Sequence, residues 1–116
     1  MADLLVDTDV LVDHLRTGRG VGDPDDRLSF SIISRAELFA GSRAEEDGVR
    51  LLLSAMDELV VDGPIAESGG RLRRRHGIAL PDALIAATSL KHGLPLLTRN
   101  RRHFGRVEGL SLRAPV

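Results

Sequence analysis

The sequence predicts an α/β fold in three layers, with a central parallel sheet of four to five strands between helices on both faces. Three observations carry this. Apolar runs of strand length recur along the chain, helical stretches fall between them, and the connecting loops are short. A chain of 116 residues fits one compact domain, residues 1–116, with no room for a second core. A domain of this size buries roughly 65% of the surface of its extended chain, enough to stand without disulfides. The chain has no cysteine.

Leu4, Leu5 and Val6, bounded by Asp3 and Asp7, suit a strand buried on both faces. A helix follows, with Val12 and Leu15 three apart and Val10 and Leu11 beside them, and it stops in TGRGVGDPDD, a loop by composition. Leu28 to Ile33 is β-rich and reads as the second strand. Ser34 is then placed to cap a helix, with Glu37 three residues later in the order of a capping box and an end near Gly41. From Ala44 the spacing of Val49, Leu52, Leu53 and Met56 predicts an amphipathic helix as far as Glu58, then a short strand over Leu59 to Val61. Pro64 suits the first turn of another helix, with Ile65, Gly69 and Leu72 on one side, though Gly69 and Gly70 weaken it. Pro81 opens a stronger one. Asp82 to His92 is almost wholly apolar after its first turn, as in a central buried helix, and Gly93 closes it. Pro95 to Thr98 predicts a strand and Leu110 to Leu112 a last one.

Sixteen basic and seventeen acidic residues leave a formal charge of -1, so overall charge does not mark a nucleic-acid binder. Lys91 is the one lysine; the arginines cluster at Arg71, Arg73, Arg74 and Arg75 and at Arg99, Arg101, Arg102 and Arg106. Such clusters suit phosphate, but they are equally the mark of solvated faces and of a GC-rich genome. With three phenylalanines and no tryptophan or tyrosine, base stacking is a poor main binding mode. No basic segment precedes the first apolar run, and no run approaches the roughly 20 apolar residues that span a bilayer. The expectation is a soluble, unprocessed protein of the cytoplasm with no membrane contact.

In open α/β sheets, ligands gather beyond the carboxyl ends of the strands where chain direction diverges. Asp7, Thr98 and Asn100 sit at such ends. Glu37 and Asp82 lie near the starts of predicted helices. Singly, each is explained by the helix dipole. Together, three carboxylates converging on one sheet edge repel unless cations neutralise them, and hard oxygen ligands suit Mg²⁺ or Mn²⁺. Asp9 has a capping role, or binds a cation's water; Thr8 and Thr98 orient Asp7 or a water, or satisfy backbone at strand ends. Asp13 and His14 are assigned to the surface of the first helix.

The stretch LLVDTDVLVDHL, the helix ISRAELFAG, the segment LPDALIAATSLKHGLPLLTRN and the following RRHF resemble the PIN-domain family, in particular the VapC-type toxins of bacterial toxin and antitoxin pairs. The resemblance covers nearly the whole chain and is weakest from Ala44 to His76. It implies a PIN-like three-layer fold and a metal-dependent endoribonuclease, with Asp7, Glu37 and Asp82 as catalytic acids and ligands of one or two Mg²⁺ or Mn²⁺ ions. A fourth ligand position is implied near TRN to HF, where relatives often carry a carboxylate and this chain has Asn100 and His103. Asn100 can offer its carbonyl to a cation or stabilise its own backbone as a turn residue. His103 suits packing beside Phe104 better than ligation. An antitoxin of the VapB type, seated in an apolar groove, and a homodimer are further implications. Exposed apolar residues on the helices of Leu38, Phe39 and Leu52 would serve such interfaces, and core packing explains them as well.

On this reading a cation acidifies a water for in-line attack on the RNA phosphodiester, and no side-chain nucleophile is needed. Arg35, Arg43, Arg99 and Arg101 are candidates for contacts to the RNA backbone. Two alternatives stand beside it. Asp7, Thr8, Asp9 and Val10 also look like the first motif of haloacid-dehalogenase-type phosphatases, with Asp7 as nucleophile and Asp9 as general acid. Against this, no lysine and no acidic pair follow Thr98, and Glu37 and Asp82 are left without a role. The other alternative is a PIN-like module that binds RNA or protein without cleaving.

Overall fold

The structure, a computed structural model, describes residues 1–41 and 45–115. Five parallel strands lie in the order β3-β2-β1-β4-β5, with β1 Asp3–Val6, β2 Arg27–Ser31, β3 Asp57–Leu59, β4 Leu96–Leu97 and β5 Leu112–Arg113. The helices are α1 Thr8–Thr17, α2 Ile32–Ala40, α3 Glu46–Ser54, α4 Gly63–His76, α5 Leu80–His92 and α6 Arg101–Phe104.

The central strand shows why three layers form. Leu4 and Val6 point into a core shared with Val10 and Leu11 of α1, Leu38 of α2 and Val49 and Leu53 of α3. Leu5 points the other way, toward Ile85 and Ala86 of α5, Leu96 and Phe104. β1 is therefore covered on both faces, as its unbroken apolar run requires. α4 packs on the outside of α5, and Gly69 lets it close in. A Cβ there would lie 2.6 Å from Leu84 Cδ2 and 3.2 Å from Leu84 Cα. The glycine that weakens the helix in isolation is what permits its packing.

From β1 the chain moves outward to β2 and β3, then crosses back to β4 on the other side of β1. Chain direction diverges between β1 and β4, and Asp7 and Thr98 follow directly from those two strands. This is the switch point at which open sheets bind ligands.

Several boundaries differ from expectation. β2 stops at Ser31, and Ile32 and Ile33, expected in the strand, form the first turn of α2. Ser31, rather than Ser34, caps that helix, its side chain accepting from Ile33 N–H. Glu37 thus lies in the second turn, outside any capping box. α3 ends at Ser54 rather than Glu58, and the strand is Asp57–Leu59 rather than Leu59 to Val61. Asp57 and Glu58 lie on an edge strand, where charge guards against pairing with another chain, and they meet Arg27 and Arg35. α6 was not expected, and β4 and β5 are shorter or later than expected. The propensities of Ile32–Ile33 and the charges of 57–58 were overridden by where the sheet needed its strands to end.

Candidate active site

Asp7 is the N-cap of α1, with extended backbone, so its side chain turns back over the end of the sheet. Its Oδ1 accepts from Thr8 N–H at 2.9 Å and its Oδ2 from Thr98 Oγ1 at 2.8 Å. Thr98 Oγ1 in turn accepts from Asn100 N–H at 3.0 Å. Both Asp7 and Thr98 are buried, at 4% and 0% exposure. Burial, then the nearby Asp9 carboxylate, push the Asp7 carboxyl up to about 7 against the pull of Thr98 and Thr8. The cap expected of Asp9 thus belongs to Asp7. Asp9 instead lies in the first turn of α1, with a buried Oδ1 that has no hydrogen-bond partner among the described residues.

Thr8 links α1 to α2. Its Oγ1 donates to Glu37 Oε1 at 2.8 Å and lies 2.8 Å from Ser34 Oγ. A hydroxyl carries one proton, so with that proton on Glu37 the Ser34 hydroxyl must donate to Thr8. Ser34 is fully buried, and this contact replaces the cap expected of it. Asp82 lies in the first turn of α5. Burial first, then Glu37, push its carboxyl up; His103 opposes this, its Nδ1 3.9 Å from Asp82 Oδ2, and Asp9 adds to the rise.

Asp7, Asp9, Glu37 and Asp82 line one open cleft of about 480 Å³, together with Thr8, Val12, Asp13, Arg16, Arg99 and Asn100. The expected acids are brought together. Asn100 lines the cleft while capping α6, its Oδ1 accepting from His103 N–H and its Nδ2 2.9 Å from His103 Nδ1. His103 is exposed beside Asp82; the packing expected of it falls to Phe104 alone, which is buried. Arg35 does not line the cleft: it pairs with Glu58 and lies over the Phe30 ring. Arg43 lies outside the described residues. Arg99 does line it, and Arg101 lines a neighbouring cleft.

Sequence reasoning missed Asp13, which is no simple surface residue. Its Oδ2 lies 3.0 Å from an Arg99 guanidinium nitrogen and it faces the cleft. The signal was present, since Asp9, Asp13 and Arg16 fall at helical spacings of four and three on one face of α1. For the apolar residues of α2 and α3 the core-packing alternative holds for the three that were named, while Leu51 beside them on α3 is exposed. Leu38 is buried and Phe39 and Leu52 pack on the core, whereas Val12 and Leu15 are open to solvent.

A profile of the PIN domain matches residues 4–110. The chain belongs to the PIN-domain family. Relatives within it include ribonuclease VapC10 of Mycobacterium tuberculosis, 40% identical with 92% of this chain and 90% of the relative covered. Ribonuclease VapC19 of the same organism is 37% identical over 86% and 90%. A toxin-antitoxin complex from Klebsiella pneumoniae contains a chain 30% identical to this one, with a TM-score of 0.74 over 92% and 94%. Membership in this family removes the phosphatase reading of Asp7 and Asp9.

The donor set of this PIN domain suits a hard divalent cation. Its oxygens come from Asp7, Asp9, Glu37 and Asp82, two of these carboxyls are pushed up, and the orphaned Asp9 oxygen wants a positive partner. As the side chains stand, no three of the described histidine, aspartate or glutamate groups are close enough to ring one ion. Mg²⁺ commonly keeps several waters and takes only one or two carboxylates directly, which matches so open a set.

Proposed function

We propose that this chain is the toxin of a VapBC-type pair: an endoribonuclease, dependent on Mg²⁺ or Mn²⁺, that acts on RNA in the cytoplasm as a homodimer. The observation that carries this reading is the convergence on one cleft of five carboxylates, Asp7 from the end of β1, Asp9 and Asp13 from α1, Glu37 from α2 and Asp82 from α5, in a chain whose relatives are named ribonucleases. Asp7, Glu37 and Asp82 would hold the cation, with Asp9 and Asn100 beside them. Bound there, a divalent ion supplies Lewis acidity that acidifies a water and offsets phosphate charge.

The protein's own groups do the rest. Thr8 N–H and Thr98 Oγ1 hold the two Asp7 oxygens in a fixed direction. Ser34 and Thr8 hold Glu37 Oε1 by the hydrogen-bond chain described above. On this reading no side-chain nucleophile is needed, and the attacking group is water. Its oxygen bonds to phosphorus as the bond to the 3' oxygen breaks, leaving 5'-phosphate and 3'-hydroxyl ends.

The partner reading also has a place in the fold. An apolar groove of about 520 Å³ is lined by Val12, Leu15, Leu38 and Val49, and it shares Val12, Arg16 and Glu37 with the acid cleft. The amphipathic segment of a VapB-type antitoxin lying there would end at the acids and occlude them. Among the described residues no helix is long and apolar enough to cross a membrane.

The test is incubation of purified protein with mixed RNA and Mn²⁺, with and without EDTA, beside Asp7→Asn. Cleavage that EDTA and the substitution both abolish is the expected result. RNA that is retained but left intact under every condition would instead mark a non-cleaving binding module.

A further inference from the structure

A second cleft, of about 530 Å³, adjoins the acid cleft and shares Arg99 with it. It is lined by Arg19, Thr98, Arg99, Arg101, Ala114 and Pro115, three arginines and no acid. Thr98 follows β4 and Ala114 follows β5, so the two clefts lie side by side along the same edge of the sheet. The acid cleft sits over β1 and β4, the basic one over β4 and β5. β1 pairs with β4 and β4 with β5, so the two clefts lie over adjacent strands.

Two of the three charges in this second cleft, Arg19 and Arg101, lack an ion-pair partner among the described residues. Arg27, Arg35 and Arg50 each meet a carboxylate. Arg99 meets Asp13, on the side of the acid cleft. Three guanidinium groups around one concavity repel one another, and an anion between them relieves that repulsion. Stacking adds nothing here: Phe30 and Phe104 are buried and Phe39 packs on the core.

We infer that Arg19, Arg99 and Arg101 form a subsite for the RNA phosphate next to the one being cut. Arg99, shared by both clefts and tethered by Asp13, sets the register between them. The contact is to charge and not to the base, so it holds the strand in place for any sequence. This inference rests on the ribonuclease reading for its choice of ligand.

The test uses the full chain and a short single-stranded RNA that it cuts, in a series where one phosphate at a time is replaced by a neutral methylphosphonate. Arg19→Ala and Arg101→Ala are expected to raise KM several-fold for every sequence tried, with the loss falling mainly on KM. Each should lower the slope of log affinity against log salt by about 0.7, the single-strand value per phosphate contact. One methylphosphonate beside the cut should reproduce the loss and add nothing to it in the variants. Arg74→Ala, exposed on α4, is the control. Binding of the same RNA by fluorescence anisotropy in EDTA reads the subsite without catalysis. If wild type neither cuts nor binds RNA, the ribonuclease reading fails and the subsite with it. If wild type binds or cuts while the two variants keep its KM, affinity and salt slope, the subsite alone is overturned.

Discussion

Asp7 pairs a buried carboxyl with a nearby like charge. Its carboxyl is buried and pushed up from 3.8 to about 7, so between those values the folded chain binds a proton that the unfolded chain has released. Stability from this group therefore falls as pH rises through that window and is lowest above about 7. Asp7→Asn removes the charge, and the variant is expected to melt several degrees above wild type at pH 8 without added metal. At pH 4 the gain should shrink toward zero, and an equal gain at both pH values would show that ionisation is not its source. A site that needs its acid ionised is maintained at the expense of the fold. Thr8 offers a second residue-scale test. Thr8→Val keeps the shape but loses the bond to Glu37, and kcat is expected to fall about tenfold, the order of one charge-assisted hydrogen bond. Thr8→Ser should retain most of the rate, whereas a loss as large as that of valine would place the effect in packing.

At the scale of elements, the α4 and α5 contact turns on adjacent glycines with opposite demands. A methyl group at Gly69 meets Leu84, including its backbone, while a methyl at Gly70 meets nothing within 4 Å. Gly69→Ala is expected to destabilise by about 1 to 3 kcal/mol, the usual cost of overpacking. Gly70→Ala should stabilise by up to about 1 kcal/mol through helix propensity alone. Urea unfolding of the two variants checks both signs, and a shared sign would contradict the packing described. The elements also show what local pattern can and cannot say. Val49, Leu52, Leu53 and Met56 continue a helical stripe through the end of α3, because a residue leaving a helix can still face the same core. Ile32 and Ile33 favour a strand by side-chain shape, yet Ser31 caps a helix just before them. Periodicity located the elements, and pairing with neighbours set their ends.

For the molecule as a whole, the proposed reading makes a cation and a proton compete for the same oxygens. Mn²⁺ should raise the melting temperature at pH 8, by the equivalent of about 2.7 kcal/mol when present at a hundred times its Kd. At pH 5 the protonated Asp7 opposes it, and the shift should be much smaller. Asp7→Asn is expected to lose most of the shift, and a Mn²⁺ effect of equal size in that variant would mean that the ion sits elsewhere. The same competition would set the acid limb of the pH profile of cleavage, which is then expected to move to lower pH as Mn²⁺ is raised; a limb that stays put would assign it to another group.

While the role of Asp7, Glu37 and Asp82 came from resemblance to the PIN-domain family, local pattern in the chain was enough to establish alternating strands and helices, the doubly covered first strand and the central apolar helix. These follow from side-chain spacing and turn chemistry, which act over a few residues and can be read without knowing the partners. The contact between Thr98 and Asp7, 91 residues apart, could not be read that way, nor could the chain from Ser34 through Thr8 to Glu37 or the pairing of Asp13 with Arg99. Each depends on the order β3-β2-β1-β4-β5, which brings distant loops to one edge. Which polar atoms meet there is settled by packing of the whole chain, because a hydrogen bond is directional and short-ranged while the patterns that build helices and strands are blind to what lies across the sheet.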